Sequence, residues 1–174
     1  MQALEFWKTV TMDRTDLLEG VIGVLKEQEI PFCVIGGQAV NAYAEPVVSL
    51  DLDLVVATAQ LPRIEELMRT GFTVKRFPHS LNVSRPGSDL RVQFQVDPRY
   101  ESFLGGASPR NVLGLVLPVA SVADVLRGKV WAALDSGRRP SKRQKDLADI
   151  ARILEGHPDL RSQVPAEVLD RLIS

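Results

Sequence analysis

Cysteine is almost missing from this chain. Of its 174 residues only Cys33 carries a thiol. One thiol cannot close an internal disulfide, and its neighbours Phe32 and Val34 suggest a buried strand position. Histidine is nearly as scarce: His79 and His157 complete the nitrogen–sulfur inventory, too few for a structural zinc site. Aromatic residues make up 6% of the chain, and they do not interleave with basic residues as a single-strand nucleic-acid platform requires. No apolar run reaches membrane-spanning length. The start, Met1-Gln2-Ala3-Leu4-Glu5, lacks the basic and apolar segments of a secretory leader. A cytoplasmic protein with no disulfide and no membrane contact is therefore expected. Excess charge is absent too: the formal net charge is −1, whereas a nucleic-acid module is usually more basic. What the chain does have is 45% hydrophobic residues, enough for the core of one domain of ordinary size.

Periodicity and breakers lay out the elements. Thr11 or Asp13 could cap a helix running to about Glu29 with an apolar stripe of Leu17, Leu18, Val21, Ile22 and Leu25, and Pro31 ends it. Phe32 to Ile35 reads as a strand, Gly36-Gly37 as a turn, Gln38 to Ala44 as a short helix, and Leu50 to Val56 as a central strand covered on both faces. Pro62 opens a helix to about Thr70. Phe72–Arg76 and Leu81–Ser84 read as short strands. Leu90 to Val96 alternates as a strand with one wet face. Tyr100 to Leu104 suggests a helical stretch, and Asn111 to Leu117 one more short strand. Ser121 caps a helix over Val122–Leu134. A basic loop leads to a second helix over about Lys142–Glu155, and Pro165 to Ile173 ends the chain as a short helix. The order predicts an α+β domain with a mixed sheet flanked by helices: a core over residues 1–120, including the N-terminal helix, and a C-terminal helical extension over 121–174.

Two segments carry chemistry. Val34-Ile35-Gly36-Gly37-Gln38 passes from strand through a diglycine into a helix, and Ser49-Leu50-Asp51-Leu52-Asp53-Leu54 sets two acids two residues apart in an apolar strand. Such acids share one face. They repel each other and resist burial unless a cation sits between them, and a hard ion such as Mg²⁺ suits two carboxylates. In that reading Mg²⁺ would bridge the phosphates of a nucleoside triphosphate. Gly36 and Gly37 would give the phosphates unhindered amides at a helix N-terminus, and Ser49 a hydroxyl. The plainer reading is a pair of solvated acids at a strand edge.

Taken together, the apolar residue, Gly36-Gly37, the short helix and then Asp51-x-Asp53 resemble the nucleotidyltransferase superfamily related to DNA polymerase beta. Within it the chain is most similar to small bacterial members: aminoglycoside and lincosamide nucleotidyltransferases and the nucleotidyltransferase partners of toxin–antitoxin systems. The resemblance covers roughly residues 30 to 155 and includes Lys129-Val130-Trp131-Ala132-Ala133 and the block from Arg138 to Ile150. It implies Mg²⁺-dependent transfer of a nucleoside monophosphate from a triphosphate to a hydroxyl acceptor, with release of pyrophosphate. The acceptor would be a small molecule, a protein or an RNA end. Asp51 and Asp53 would hold the metal, Gly36, Gly37 and Ser49 the phosphates, and Lys129 would lie toward the cleft. A second copy or a partner protein could complete the cleft.

Active members carry a third carboxylate on a later strand. Here that strand offers Gln93 or Gln95, amides that can ligate a metal through oxygen but cannot act as a general base. Asp97 shares their face, next to Pro98, and would serve as the third catalytic acid only if the strand is short or bulged. Val47 stands where many members have a phosphate-binding arginine. These departures leave a second reading open: a weak or inactive nucleotide-binding relative, or a toxin–antitoxin component acting through protein contacts. Residues 127–145 hold Arg127, Lys129, Arg138, Arg139, Lys142, Arg143 and Lys145 against the single acid Asp135. They form either a positive wall facing phosphates or RNA, or a solvated connection between helices. Asp146 is expected to pair with a basic residue rather than with metal.

Overall fold

The computed structural model describes residues 3–11 and 16–173. The elements run α1 (Ala3–Thr11), α2 (Leu17–Glu27), β1 (Cys33–Ile35), α3 (Gly36–Tyr43), β2 (Asp51–Val55), α4 (Leu61–Arg69), β3 (Thr73–Arg76), β4 (Ser80–Ser84), β5 (Arg91–Gln95), β6 (Ser108–Val112), β7 (Leu115–Val119), α5 (Val122–Leu134), α6 (Pro140–Gly156) and α7 (Ala166–Leu169). A 3₁₀ segment, Pro98–Gly106, follows β5, and another, Pro158–Gln163, follows α6.

Among the described residues, seven strands form one mixed sheet in the order β3-β4-β5-β2-β1-β7-β6. β2 lies in the middle, antiparallel to β1 and parallel to β5. This is the α+β mixed sheet with helical tail that the element order predicts. The burial pattern of β2 explains its place: Leu52, Leu54 and Val55 are fully enclosed, and Asp51 and Asp53 take the alternate positions. Leu17, Leu18, Val21, Ile22 and Leu25 bury the predicted stripe of α2.

Several boundaries differ from the sequence expectation, each for a local reason. Thr11 closes α1 instead of capping α2, and Asp13 lies outside the described residues. Asp16 precedes α2. That helix stops at Glu27, short of Pro31, because Glu29 adopts a left-handed conformation with φ 54°. Helix α3 begins at Gly36 itself, so the diglycine is the first turn of the helix and not a separate turn. The stretch expected as one strand over Asn111–Leu117 is the tip of a hairpin. Leu113 and Gly114 both take positive φ, 53° and 85°, as a tight two-residue reversal between β6 and β7 requires. A side chain at Gly114 would also run into the backbone of α1 at Leu4.

The two edges of the sheet are unlike. β3 carries exposed Lys75 and Arg76. On β6, Pro109 stands directly opposite Pro118 of β7. In the tail, α5 and α6 pack against each other and against α3. No described helix is long and apolar enough to cross a membrane.

Candidate nucleotide site

β1 runs antiparallel beside β2. The register pairs Ile35 with Asp53, which brings the first residue of α3 against the second aspartate. Gly36 has φ +70°, and a Cβ built on it would overlap the Asp53 carboxylate. Glycine is therefore required there twice over, by conformation and by volume. Gly37 is different. A Cβ there would meet Ser49 Oγ at an ordinary 3.5 Å, so its bareness leaves room beside the helix start and relieves no clash. Ile35 has no side-chain acceptor to cap α3, and the first-turn amides at Gly36 and Gly37 lie at the cleft wall.

The loop between α3 and β2 is fixed from two helices. Gln38 Nε2, itself buried, donates to Ser49 O at 3.0 Å. Asn41 donates to Val47 O at 2.7 Å and accepts from Val47 N–H at 2.9 Å. Arg152 of α6 donates to Asn41 Oδ1 at 2.8 Å and also to the carbonyl of Glu45. Ser49 lies at the cleft with its hydroxyl 3.4 Å from the backbone of Asp51.

These residues open onto a cleft of about 520 Å³. Gly36, Gly37, Ser49, Asp51, Asp53, Gln93 and Lys129 all line it, so α3, the loop after it, β2, β5 and α5 bring the sequence candidates together. Asp53 stands beside Gln93, and Asp51 beside Arg91, across the parallel β2–β5 pairing. Arg91 Nε donates to Asp51 Oδ1 at 3.0 Å. Burial pushes the Asp53 carboxyl up to about 6, and the nearby Asp51 charge adds to this; Lys129, Arg138 and Lys145 pull the other way.

Asp97 behaves otherwise. It accepts the Arg99 amide at 2.9 Å, capping the Pro98–Gly106 segment, and forms an ion pair with the Arg99 side chain that holds its carboxyl below the usual range. It is not among the residues that line the cleft. The strand that would have had to bulge to deliver it runs regularly through Gln95. The carboxylates among the described cleft residues are Asp51, Asp53 and Asp146, and no described group of three or more acids, histidines or cysteines could hold a metal together.

Lys129 sits at the base of the far wall with 8% of its surface exposed. Its Nζ lies 3.2 Å from Asp146 Oδ1 and 2.9 Å from Asp149 Oδ2. Burial alone would lower its pKa, but Asp149 and Asp146 outweigh that and hold it raised. Asp146 also accepts from Arg138 at 2.7 Å, so it is paired with two basic groups, as the sequence suggested. Asp149 is the partner that sequence reading missed. Its signal was present, for it lies one turn beyond Asp146 and next to the buried Ile150 on the same helix. From the basic segment, Lys129, Arg138, Arg139, Lys142 and Lys145 line the cleft. Arg127 pairs with Asp124 instead. Apolar surface comes from Phe77, half exposed, from Pro78, and from the buried pair Tyr100 and Phe103, which pack against Gly128 and Trp131 of α5 in a ring cluster.

The donor set suits one Mg²⁺. That ion accepts one or two carboxylates and leaves its other positions to water and substrate phosphate. Asp53 and the oxygen of Asp51 not engaged by Arg91 meet that description, and the burial of Asp53 is a charge penalty that a cation would relieve.

No family model and no curated protein sequence matches the chain. Solved structures do. The antibiotic-resistance factor ANT(2'')-Ia, in a solution structure, superposes with a TM-score of 0.59 at 15% identity, covering 88% of this chain and 91% of that one. The lincosamide antibiotic adenylyltransferase LnuA gives 0.52 at 11%, over 80% and 97%. An antigenic nucleotidyltransferase-like protein from Paracoccidioides brasiliensis gives 0.52 at 19%, over 92% and 95%. The chain thus has the nucleotidyltransferase-like architecture. At these identities the likeness defines the fold and no particular member.

Proposed function

We propose that the chain is a Mg²⁺-dependent nucleotidyltransferase: it binds a nucleoside triphosphate, transfers the nucleoside monophosphate to an acceptor oxygen and releases pyrophosphate. The observation that carries this reading is the meeting of Gly36 and Asp53, a bare helix start against a half-buried carboxylate. Asp51 and Asp53 would hold the cation, which when bound would neutralise charge on the transferring phosphoryl group. The amides of Gly36 and Gly37 and the Ser49 hydroxyl orient the phosphates. Gln93 offers its amide oxygen beside Asp53. Lys129, held in place by Asp146 and Asp149, contributes fixed positive potential to the same cleft. Phe77 and Pro78 give the base an apolar surface to rest on. The helical extension over residues 121–174 supplies the second wall of a cleft whose first wall belongs to the core over 1–120.

ANT(2'')-Ia has been seen with adenylyl-2''-tobramycin. Aminoglycosides are polycations, and this cleft's second wall is itself cationic, so an acceptor of that kind is disfavoured here by like charge. A hydroxyl acceptor, which the sequence resemblance implies, must also lose its proton without help from a third carboxylate. That same feature supports the second reading, a nucleotide-binding relative without turnover.

Calorimetric titration of nucleoside triphosphates with and without Mg²⁺ tests the binding step. Mg²⁺-dependent binding that is lost in the Asp51→Asn/Asp53→Asn double variant is the expected result. Tight, metal-independent binding unchanged in that variant overturns the site. Pyrophosphate release then separates an enzyme from a binder.

A further inference from the structure

Two independent features of the cleft bear on the acceptor. The first is the missing base. Gln93 occupies the register position beside Asp53 and cannot take a proton near neutral pH. Asp97 is committed to Arg99 outside the cleft lining. Asp146 is paired with Lys129 and Arg138, and the cation would occupy Asp51 and Asp53. His79 does line the cleft, but it precedes Ser80, which pairs with Gln95 two residues beyond Gln93 and one strand further from β2. Two strand spacings across and three residues along put the histidine backbone roughly 14 Å from that of Asp53, at the end of the cleft away from the metal acids.

The second feature is uncommitted positive charge. Arg139, Lys142 and Lys145 are exposed at the cleft, and no described carboxylate pairs with any of them. The cation and the amides of α3 serve the donor's phosphates on the β2 side. Arg139 and Lys142 stand on α6 and the residue before it, and Lys145, on the same helix, is near enough to Asp53 to act on its carboxyl.

Resting on the nucleotidyl-transfer reading above, we infer that the acceptor carries a phosphate monoester and that its own phosphate oxygen is the nucleophile. A hydroxyl must shed a proton that in water leaves only near pH ~15. A phosphate monoester has its second pKa at about 6 and arrives at neutral pH already ionised. It needs no base, and it supplies the negative charge that Arg139, Lys142 and Lys145 would receive. The step balances without a further reactant. The acceptor oxygen forms a bond to the α-phosphorus. The bond from that phosphorus to the oxygen bridging to the β-phosphate breaks, and its electron pair leaves with pyrophosphate. The product is a phosphoanhydride.

The test incubates the full chain with Mg²⁺ and each nucleoside triphosphate. The acceptors are matched pairs: glucose 1-phosphate and glucose, glycerol 3-phosphate and glycerol, a nucleoside monophosphate and its nucleoside. Pyrophosphate release and product mass are read. The expected result is release with at least one phosphorylated acceptor, about 10- to 100-fold above its dephosphorylated twin, with a product whose acceptor phosphate resists alkaline phosphatase. Arg139→Gln/Lys142→Gln/Lys145→Gln should lower kcat/KM for that acceptor by about 10-fold or more, with a smaller change in Mg²⁺–nucleotide affinity. Equal transfer to the dephosphorylated twin, or a product whose phosphate is still removed by phosphatase, overturns the inference and leaves nucleotidyl transfer standing. Binding of Mg²⁺–nucleotide without release from any acceptor overturns both.

Discussion

Gly36 and Asp53 share one small volume, and each limits what the other can be. Gly36→Ala would drive a methyl group into the carboxylate at a φ of +70°. A loss of about 1–3 kcal/mol is expected in chemical denaturation, together with loss of Mg²⁺-dependent nucleotide binding in calorimetry. Asp53 carries the opposite cost. Its carboxyl titrates near 6 when folded against the ordinary 3.8 of the unfolded chain. Between those values the folded chain binds more proton, so stability falls as pH rises through the interval, and the deficit persists above it. Measured in chelator, Asp53→Asn should therefore raise stability at about pH 8 by roughly 1–3 kcal/mol and change little at about pH 4. A variant more stable and yet unable to bind Mg²⁺–nucleotide would mark Asp53 as a residue held for function. The aspartate pair and the diglycine were legible in sequence because strand alternation and glycine chemistry act over a few residues. The engagement of Asp51 by Arg91 was not, since it depends on which strand lies beside β2 and in what register.

Helices α5 and α6 are held to each other at the cleft by charge. Lys129 reaches across to Asp146 and Asp149 from within the packed surface, with Arg138 and Arg152 on the outer sides of those acids. Lys129→Met leaves two buried carboxylates with one partner fewer. The expected cost is about 3 kcal/mol, the lower end for a broken buried pair because the two arginines remain. It should show as a lower urea midpoint with an unchanged slope. At this scale α5 was legible to the residue, because Ser121 caps it and accepts the Asp124 amide. The sequence hid the β6–β7 hairpin, because Leu113 takes a positive φ with none of the asparagine or glycine that usually announces such a position. Asp97 was misplaced for a related reason. Its face on the strand was read correctly, but the strand ends at Gln95 and the acid turns to cap the next segment.

For the molecule as a whole, a net charge of −1 conceals a strong local imbalance. Arg139, Lys142 and Lys145 gather at one cleft wall. The KM for a phosphorylated acceptor should rise as salt rises from about 50 to 500 mM, where the screening length shrinks to a few ångströms. The slope should flatten when the three are changed to glutamine, and an unaltered slope would remove them from the binding field.

The edges of the sheet carry a consequence of another kind. Two prolines facing each other across antiparallel strands have no amide to exchange, so Pro109 and Pro118 can stand opposite only in the wide, non-bonded kind of pair. In such a pair the backbone nitrogen of Pro109 is turned outward, where a foreign strand would look for a hydrogen. That rim of the sheet is blunted against templated stacking, and exposed Lys75 puts a charge on the opposite rim, where Arg76 is paired with Glu65. Exchanging Pro109 for a β-branched residue would give the open rim a donor it now lacks, and with it a route to filament growth.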